Sequence, residues 1–159
     1  MFRRAFLVAT IGLLTVLGTS ACNMISPVAS LQVYSPSDGT NGDLGMVKAR
    51  NIIYFSDGKG NGALYGAFAN SSSNTQDFAL KLEGAANGPI YRQFLVKGYK
   101  VLNFGYQNQP ALKIALKGKP GDLTTVLLYS DTGSVRLNVP ILDGTLPQYK
   151  DIVDSLAKN

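Results

Sequence analysis

Few side chains in this 159-residue sequence could do chemistry, and histidine is not among them, because the chain contains none. That absence excludes Ser-His-Asp and Cys-His catalysis, His-ligated zinc, copper or iron, and histidine-based pH switching. A hydrolase would then need a Ser–Lys pair or two carboxylates. Ser71, Ser72 and Ser73 cluster in a polar turn, the lysines fall mostly on outward strand positions, and nothing in the spacing joins the two sets. Glu83 is the only glutamate. Asp77 and Glu83 share a strand face but lie six positions apart, ~20 Å at a rise of ~3.4 Å per residue, too far for a glycosidase pair. No catalytic residue is expected, and the protein is not expected to be an enzyme.

Two glycine-rich stretches supply the remaining oxygen ligands. Asp57-Gly58-Lys59-Gly60-Asn61-Gly62 has the look of a calcium loop, which wants Asp or Asn at its third position and a bidentate Glu at its twelfth. Lys59 and Phe68 hold those places, so a hairpin turn is the better reading. A phosphate loop fails as well, since Gly58-Lys59-Gly60 runs into an alternating strand rather than opening a helix. Asp38-Gly39-Thr40-Asn41-Gly42-Asp43 could add oxygens to those of a neighbouring loop, but its composition reads as flexible linker. Tyr54, Tyr65, Tyr91, Tyr99, Tyr106, Tyr129 and Tyr149 could stack sugars or grip a partner, although tyrosine also favours strands for structural reasons. Lys97, Lys100, Lys113, Lys117 and Lys119 fall close in sequence and are expected as a solvated basic flank. No metal and no cofactor are expected, and the ligand-binding residues are open.

The elements that must position these groups read as strands. From Leu44 onward, short apolar runs alternate with turn residues at intervals of roughly eight to twelve positions. Phe78, Leu80 and Leu82 alternate with Asp77, Lys81 and Glu83, the period-two pattern of a half-buried strand. Runs at 46–55, 63–69, 90–96, 99–104, 112–116, 123–129 and 134–142 complete the set. Asp131-Thr132-Gly133 reads as a tight hairpin turn, and Pro140, lacking an N–H, predicts that the last strand ends near an edge. Seven or eight short strands without an interior helical period predict an all-β, immunoglobulin-like β-sandwich over 44–143, with a small closed barrel as the alternative. Leu146-Pro147-Gln148-Tyr149 opens a tail, 144–159, with room for one or two helical turns.

The N-terminus has its own logic. Arg3 and Arg4, an apolar run over 5–17 and Gly18-Thr19-Ser20-Ala21 give the basic, apolar and small-residue order of a secretory signal at 1–21. The run covers roughly 20 Å as a helix, short of the ~30 Å hydrocarbon core of a bilayer. Cys22 is the only cysteine, so the folded part has no disulfide framework. With Arg3 and Arg4 gone, 13 basic residues face 10 acidic ones, a net charge of about +3, which is compatible with anionic headgroups or wall polymers and is no nucleic-acid signature. Residues 22–43 are expected as a tether, the alternative being a short strand at 31–34.

Thr19-Ser20-Ala21-Cys22 resembles the lipobox of bacterial lipoproteins, with Thr19 where Leu is usual. The resemblance implies that the Cys22 sulfur receives a diacylglyceryl group and becomes the first residue after cleavage. Tyr34-Ser35-Pro36-Ser37-Asp38-Gly39, leading into Gly45-Met46-Val47-Lys48-Ala49-Arg50-Asn51, and the stretch Val139-Pro140-Ile141-Leu142-Asp143-Gly144-Thr145-Leu146-Pro147-Gln148-Tyr149 are similar to those of small uncharacterised bacterial lipoproteins with one immunoglobulin-like domain. At fold level that group is similar to cupredoxin-like periplasmic copper chaperones, which hold Cu(I) through Met and His. Here Met24 and Met46 are the only methionines after residue 21 and no histidine accompanies them, so the copper site is not expected. The expectation is a protein held at the extracytoplasmic face of the cell membrane through diacylglyceryl on Cys22. It would act as a non-catalytic module meeting an envelope protein or wall polymer, or alternatively bind a small ligand or wall glycan.

Overall fold

The computed structural model describes residues 36–85 and 87–157. The expected signal peptide, the lipidated Cys22, Met24 and the short strand weighed at 31–34 lie outside the described residues. Nine strands follow one another: β1 (Thr40–Leu44), β2 (Val47–Ser56), β3 (Gly62–Asn70), β4 (Gln76–Leu82), β5 (Ile90–Val96), β6 (Val101–Phe104), β7 (Leu112–Lys113), β8 (Leu123–Ser130) and β9 (Gly133–Leu142). One helix, α1 (Pro147–Leu156), comes after them. The domain is all-β apart from that helix. Among the described residues no helix is long and apolar enough to cross a membrane.

Hydrogen bonding links the strands in the order β5-β4-β8-β9-β2-β3-β6, with β1 beside β2 and β7 beside β3. Neighbours are antiparallel except β2 and β9, which run parallel over two register pairs, Tyr54 with Ile141 and Phe55 with Leu142. The sheet rolls until its end strands meet through side chains. Phe94 on β5 and Phe104 on β6 have ring centroids 5.0 Å apart, and Phe68 on β3 stacks on Phe78 of β4 at 4.8 Å.

Alternation decides which residues fill the interior. Phe78, Leu80 and Leu82 of β4, Val126 and Leu128 of β8, Leu137, Val139 and Ile141 of β9, and Leu64 and Phe68 of β3 are all buried in one cluster. Residues of the opposite parity on β2 and β3 form a second cluster. There Ile53, Phe55, Ala63 and Tyr65 lie under Tyr149, Ile152, Val153 and Leu156 of α1, the i, i+3, i+4, i+7 stripe of an amphipathic helix. Pro147 sits in the first turn of α1, where no N–H is needed.

Four expectations are corrected. The tether does not extend to Asp43, because Thr40–Leu44 form β1 on β2. Polar side chains hold it there in place of apolar alternation: Asn41 Oδ1 accepts from the Asn51 N–H at 2.8 Å, Asn51 Oδ1 accepts from the Gly39 N–H at 3.0 Å, and the Thr40 hydroxyl donates to the Asn138 carbonyl. With β1 the strands among the described residues number nine, not seven or eight. The strand expected over 112–116 shortens to Leu112–Lys113, because beyond it the backbone bonds to a side chain. The Tyr54 hydroxyl donates to the Ile114 carbonyl at 2.8 Å and accepts from the Leu116 N–H at 2.9 Å. Finally, β9 does not end at an edge. Pro140 pairs with Leu123 of β8, and the strand then continues onto β2, so the missing N–H falls where β9 changes neighbour.

Candidate functional site

Most oxygen-bearing candidates are committed to the fold. Asp57 closes the β2–β3 turn: its carboxylate accepts from the Lys59 N–H at 2.7 Å, the Asn61 N–H at 3.0 Å and Asn61 Nδ2 at 2.6 Å. The Asn61 side chain is the main cause holding this carboxyl below the usual aspartate range. Ser71 Oγ donates to the Met46 carbonyl, and Ser72 Oγ to the Asn70 and Asn74 oxygens; neither hydroxyl bonds a lysine. Glu83, just past the end of β4, pairs with Lys81 at 3.2 Å. Asp43 pairs with Lys48 and Arg50, whose guanidinium is the main cause lowering the carboxyl. Among the described residues no group of three or more Cys, Asp or Glu side chains comes together to hold a metal ion.

The seven tyrosines divide by place. Tyr54 is the buried clasp on residues 114–116, and burial pushes its hydroxyl up. Tyr106, Tyr65 and Phe55 form a ring-to-ring chain that ends on Tyr149 of α1, with successive centroids 5.8, 5.0 and 4.9 Å apart. The Tyr149 hydroxyl donates to Asp38, the main cause that pushes it up to about 12. Tyr129, Tyr91 and Tyr99 remain for outside contact. The five lysines form no single flank: Lys100 is bonded to the end of β3 at Asn70, whereas Lys113 pairs with Ala63 near its other end.

Two surface features adjoin at one corner. The first is a cleft. β4 and β8 are paired only from Ala79 opposite Tyr129 to Leu82 opposite Val126. Beyond Ala79, β4 stays with β5 as far as Gln76 and β8 stays with β9 as far as Ser130, so the two strands splay. The gap is an open cleft of about 620 Å³ whose walls include Asp77, Ala79, Gln93, Leu95, Tyr129 and Asp131. Neither aspartate has an ion-pair partner among the described residues.

The second is an exposed apolar run on β5, the turn after it and β6. Tyr91, Leu95, Tyr99 and Val101 are 54, 69, 71 and 54 % exposed. They account for four of the seven large exposed apolar side chains among the described residues, all within eleven positions. Tyr99 is held outward by construction. The Tyr99 N–H donates to the Ser72 carbonyl at 2.9 Å, the Lys100 N–H closes the turn on Lys97 at 3.1 Å, and a Cβ on Gly98 would sit 1.9 Å from the Ser73 carbonyl oxygen. Tyr99 takes φ +53 as a result, a left-handed conformation costly to a residue with a Cβ. Beneath it, buried Asn70 donates to the Val96 and Asn74 carbonyls and accepts from the Ser72 N–H, tying the β3–β4 loop to the end of β5. Asn70 was legible in the sequence only as one end of a polar turn.

No protein-family model matches the chain, and no curated protein matches it.

Proposed function

We propose that this is a non-catalytic interaction module of the cell envelope. Diacylglyceryl on Cys22 anchors it to the extracytoplasmic face of the cell membrane, and a protein or wall polymer of the envelope is its partner. The observation that carries the reading is the run Tyr91, Leu95, Tyr99 and Val101. Large apolar side chains left in water and gathered on one strand, its turn and the next strand support reading this part of the surface as a contact site. Tyr99 adds a second cost, because its backbone is strained where glycine would fit freely. A single acyl chain binds a membrane only marginally, and the two on a diacylglyceryl group secure the anchor.

The fold belongs to the same reading, as an immunoglobulin-like sandwich. Strands β1, β2, β3, β6 and β7 make one layer and β4, β5, β8 and β9 the other, and the two parallel pairs between β2 and β9 are the one ladder joining them. Bonds from Ser71 to Met46 and from Tyr99 to Ser72 bring turns 45–46, 71–74 and 97–100 to one end of that sandwich, and Thr132 beside Gly45 adds turn 131–132.

The cleft beside Leu95 favours a second reading, a small ligand or wall glycan seated on Tyr129 between Asp77 and Asp131. Crosslinking mass spectrometry on intact cells separates the two. Wild type should capture one dominant envelope partner, with crosslinks mapping to 91–101, and both Cys22→Ser and the pair Leu95→Ser/Tyr99→Ser should lose it. No reproducible partner, together with a non-covalent mass on the native protein that Ala79→Phe abolishes, would replace the interaction reading with the ligand reading.

A further inference from the structure

β5 is an end strand of the rolled sheet. It pairs with β4 along all seven residues from Ile90 to Val96, without a bulge, and among the described residues nothing pairs with its other side. A free edge presents a row of N–H and C=O groups, and proteins usually guard it with lysine, proline, a bulge or short length. Within Ile90–Val96 β5 has none of these, although Pro89 and Lys97 flank it directly. Its one charged residue is Arg92, whose Nη1 donates to the neighbouring Tyr91 carbonyl at 3.0 Å. The opposite end strand, β6, has only four residues.

The sequence of this edge is nearly self-complementary. Read against itself in antiparallel sense about its middle residue, Ile-Tyr-Arg-Gln-Phe-Leu-Val pairs Ile90 with Val96, Tyr91 with Leu95, Arg92 with Phe94 and Gln93 with Gln93. Two pairs are apolar on apolar, one sets a guanidinium against a ring, and one sets amide against amide. The single charge never opposes its own copy. Tyr91, Gln93 and Leu95 lie on one face, so the two most exposed apolar side chains of β5 would cover each other twice across the axis. We propose that β5 of one copy pairs with β5 of a second copy about a two-fold axis at Gln93, joining two domains into one continuous sheet. This is an isologous contact, in which each residue meets its counterpart in both directions. It rests on reading 91–101 as a contact surface and names the occupant of its β5 part.

The test is disulfide trapping in intact cells with the full chain, where wild type, with Cys22 alone, sets the background. The proposed register expects Gln93→Cys to give a disulfide-linked dimer several-fold above Lys59→Cys, an exposed control in the β2–β3 turn. Tyr91→Cys alone should stay at the control level, because the copy presents Leu95 there, and Tyr91→Cys with Leu95→Cys in one chain should restore the dimer. Equal trapping at 91 and 93, or no excess at 93 over 59, would overturn the pairing. Should Gln93→Cys instead link to a different envelope protein, the dimer falls and the interaction module stands. Should it link to nothing while intact-cell crosslinking finds no partner either, both readings fall.

Discussion

At the scale of single residues, Tyr99 poses a test that separates folding from function. Its φ of +53 costs on the order of 1 kcal/mol relative to glycine, and its ring is mostly in water, where it returns little to the fold. Tyr99→Gly should therefore raise unfolding stability by about 1 kcal/mol in urea while lowering envelope crosslinking at 91–101. A loss of stability instead would mean that the ring holds the turn together. The contrast with Asn70 is instructive. Both residues stand in polar, turn-rich sequence, but Asn70 is buried and satisfies three backbone groups, whereas Tyr99 satisfies only its own N–H. Spacing and composition carry no sign of that difference, because it depends on which loops the fold brings together.

Among the elements, those built by alternation were legible and those built by side chains were not. β9 follows its apolar parity residue by residue and β4 does so apart from buried Ala79, and the β8–β9 turn falls at Asp131-Thr132 between the paired Ser130 and Gly133. β1 was hidden because asparagines and a threonine hold it. The β7 region misled for the opposite reason. Ile114 and Leu116 are buried as the pattern implied, but past the Ile114 N–H, which still bonds Gly62 of β3, the Ile114 carbonyl and the Leu116 N–H go to a phenol. Tyr54→Phe should thus leave the Ile114 carbonyl and the Leu116 N–H unpaired in the interior and cost about 2–4 kcal/mol. Equilibrium denaturation measures the loss, and amide exchange at 114–116 should quicken. A change below about 0.5 kcal/mol would mean that water replaces the hydroxyl. Of the candidate site, the sequence displayed the tyrosines but not their sorting, since Tyr65 and Tyr106 became accounted for only when α1 brought Tyr149 onto the cluster they share. The cleft was invisible, as it arises from two strands parting rather than from any motif.

On the scale of the whole molecule, the two ends of the described chain are tied together. The Tyr149 hydroxyl on α1 bonds Asp38 just before β1. That hydroxyl keeps its proton to about pH 12 in the fold, against 10.0 for an ordinary tyrosine. The folded state therefore binds more protons between those values, and stability falls as pH rises through the window. Below pH 10 the contribution is complete. Melting temperature should decline between about pH 10 and 12 in wild type and less steeply in Tyr149→Phe, leaving the part due to buried Tyr54, Tyr65 and Tyr106, whose hydroxyls burial also raises. Identical slopes would discard the assignment.

The direction in which β1 lies has a mechanical consequence. The chain enters β1 at Thr40, opposite Ile52, and leaves it at Leu44, opposite Val47, beside the turns that hold Met46, Ser71 and Tyr99. If a partner grips that turn end while the proposed anchor pulls at the segment before Asp38, tension runs along the strand axis. The rungs between β1 and β2 are then loaded in shear, all together, rather than peeled one after another. An attachment at the far end of a strand is the arrangement that best withstands being tugged.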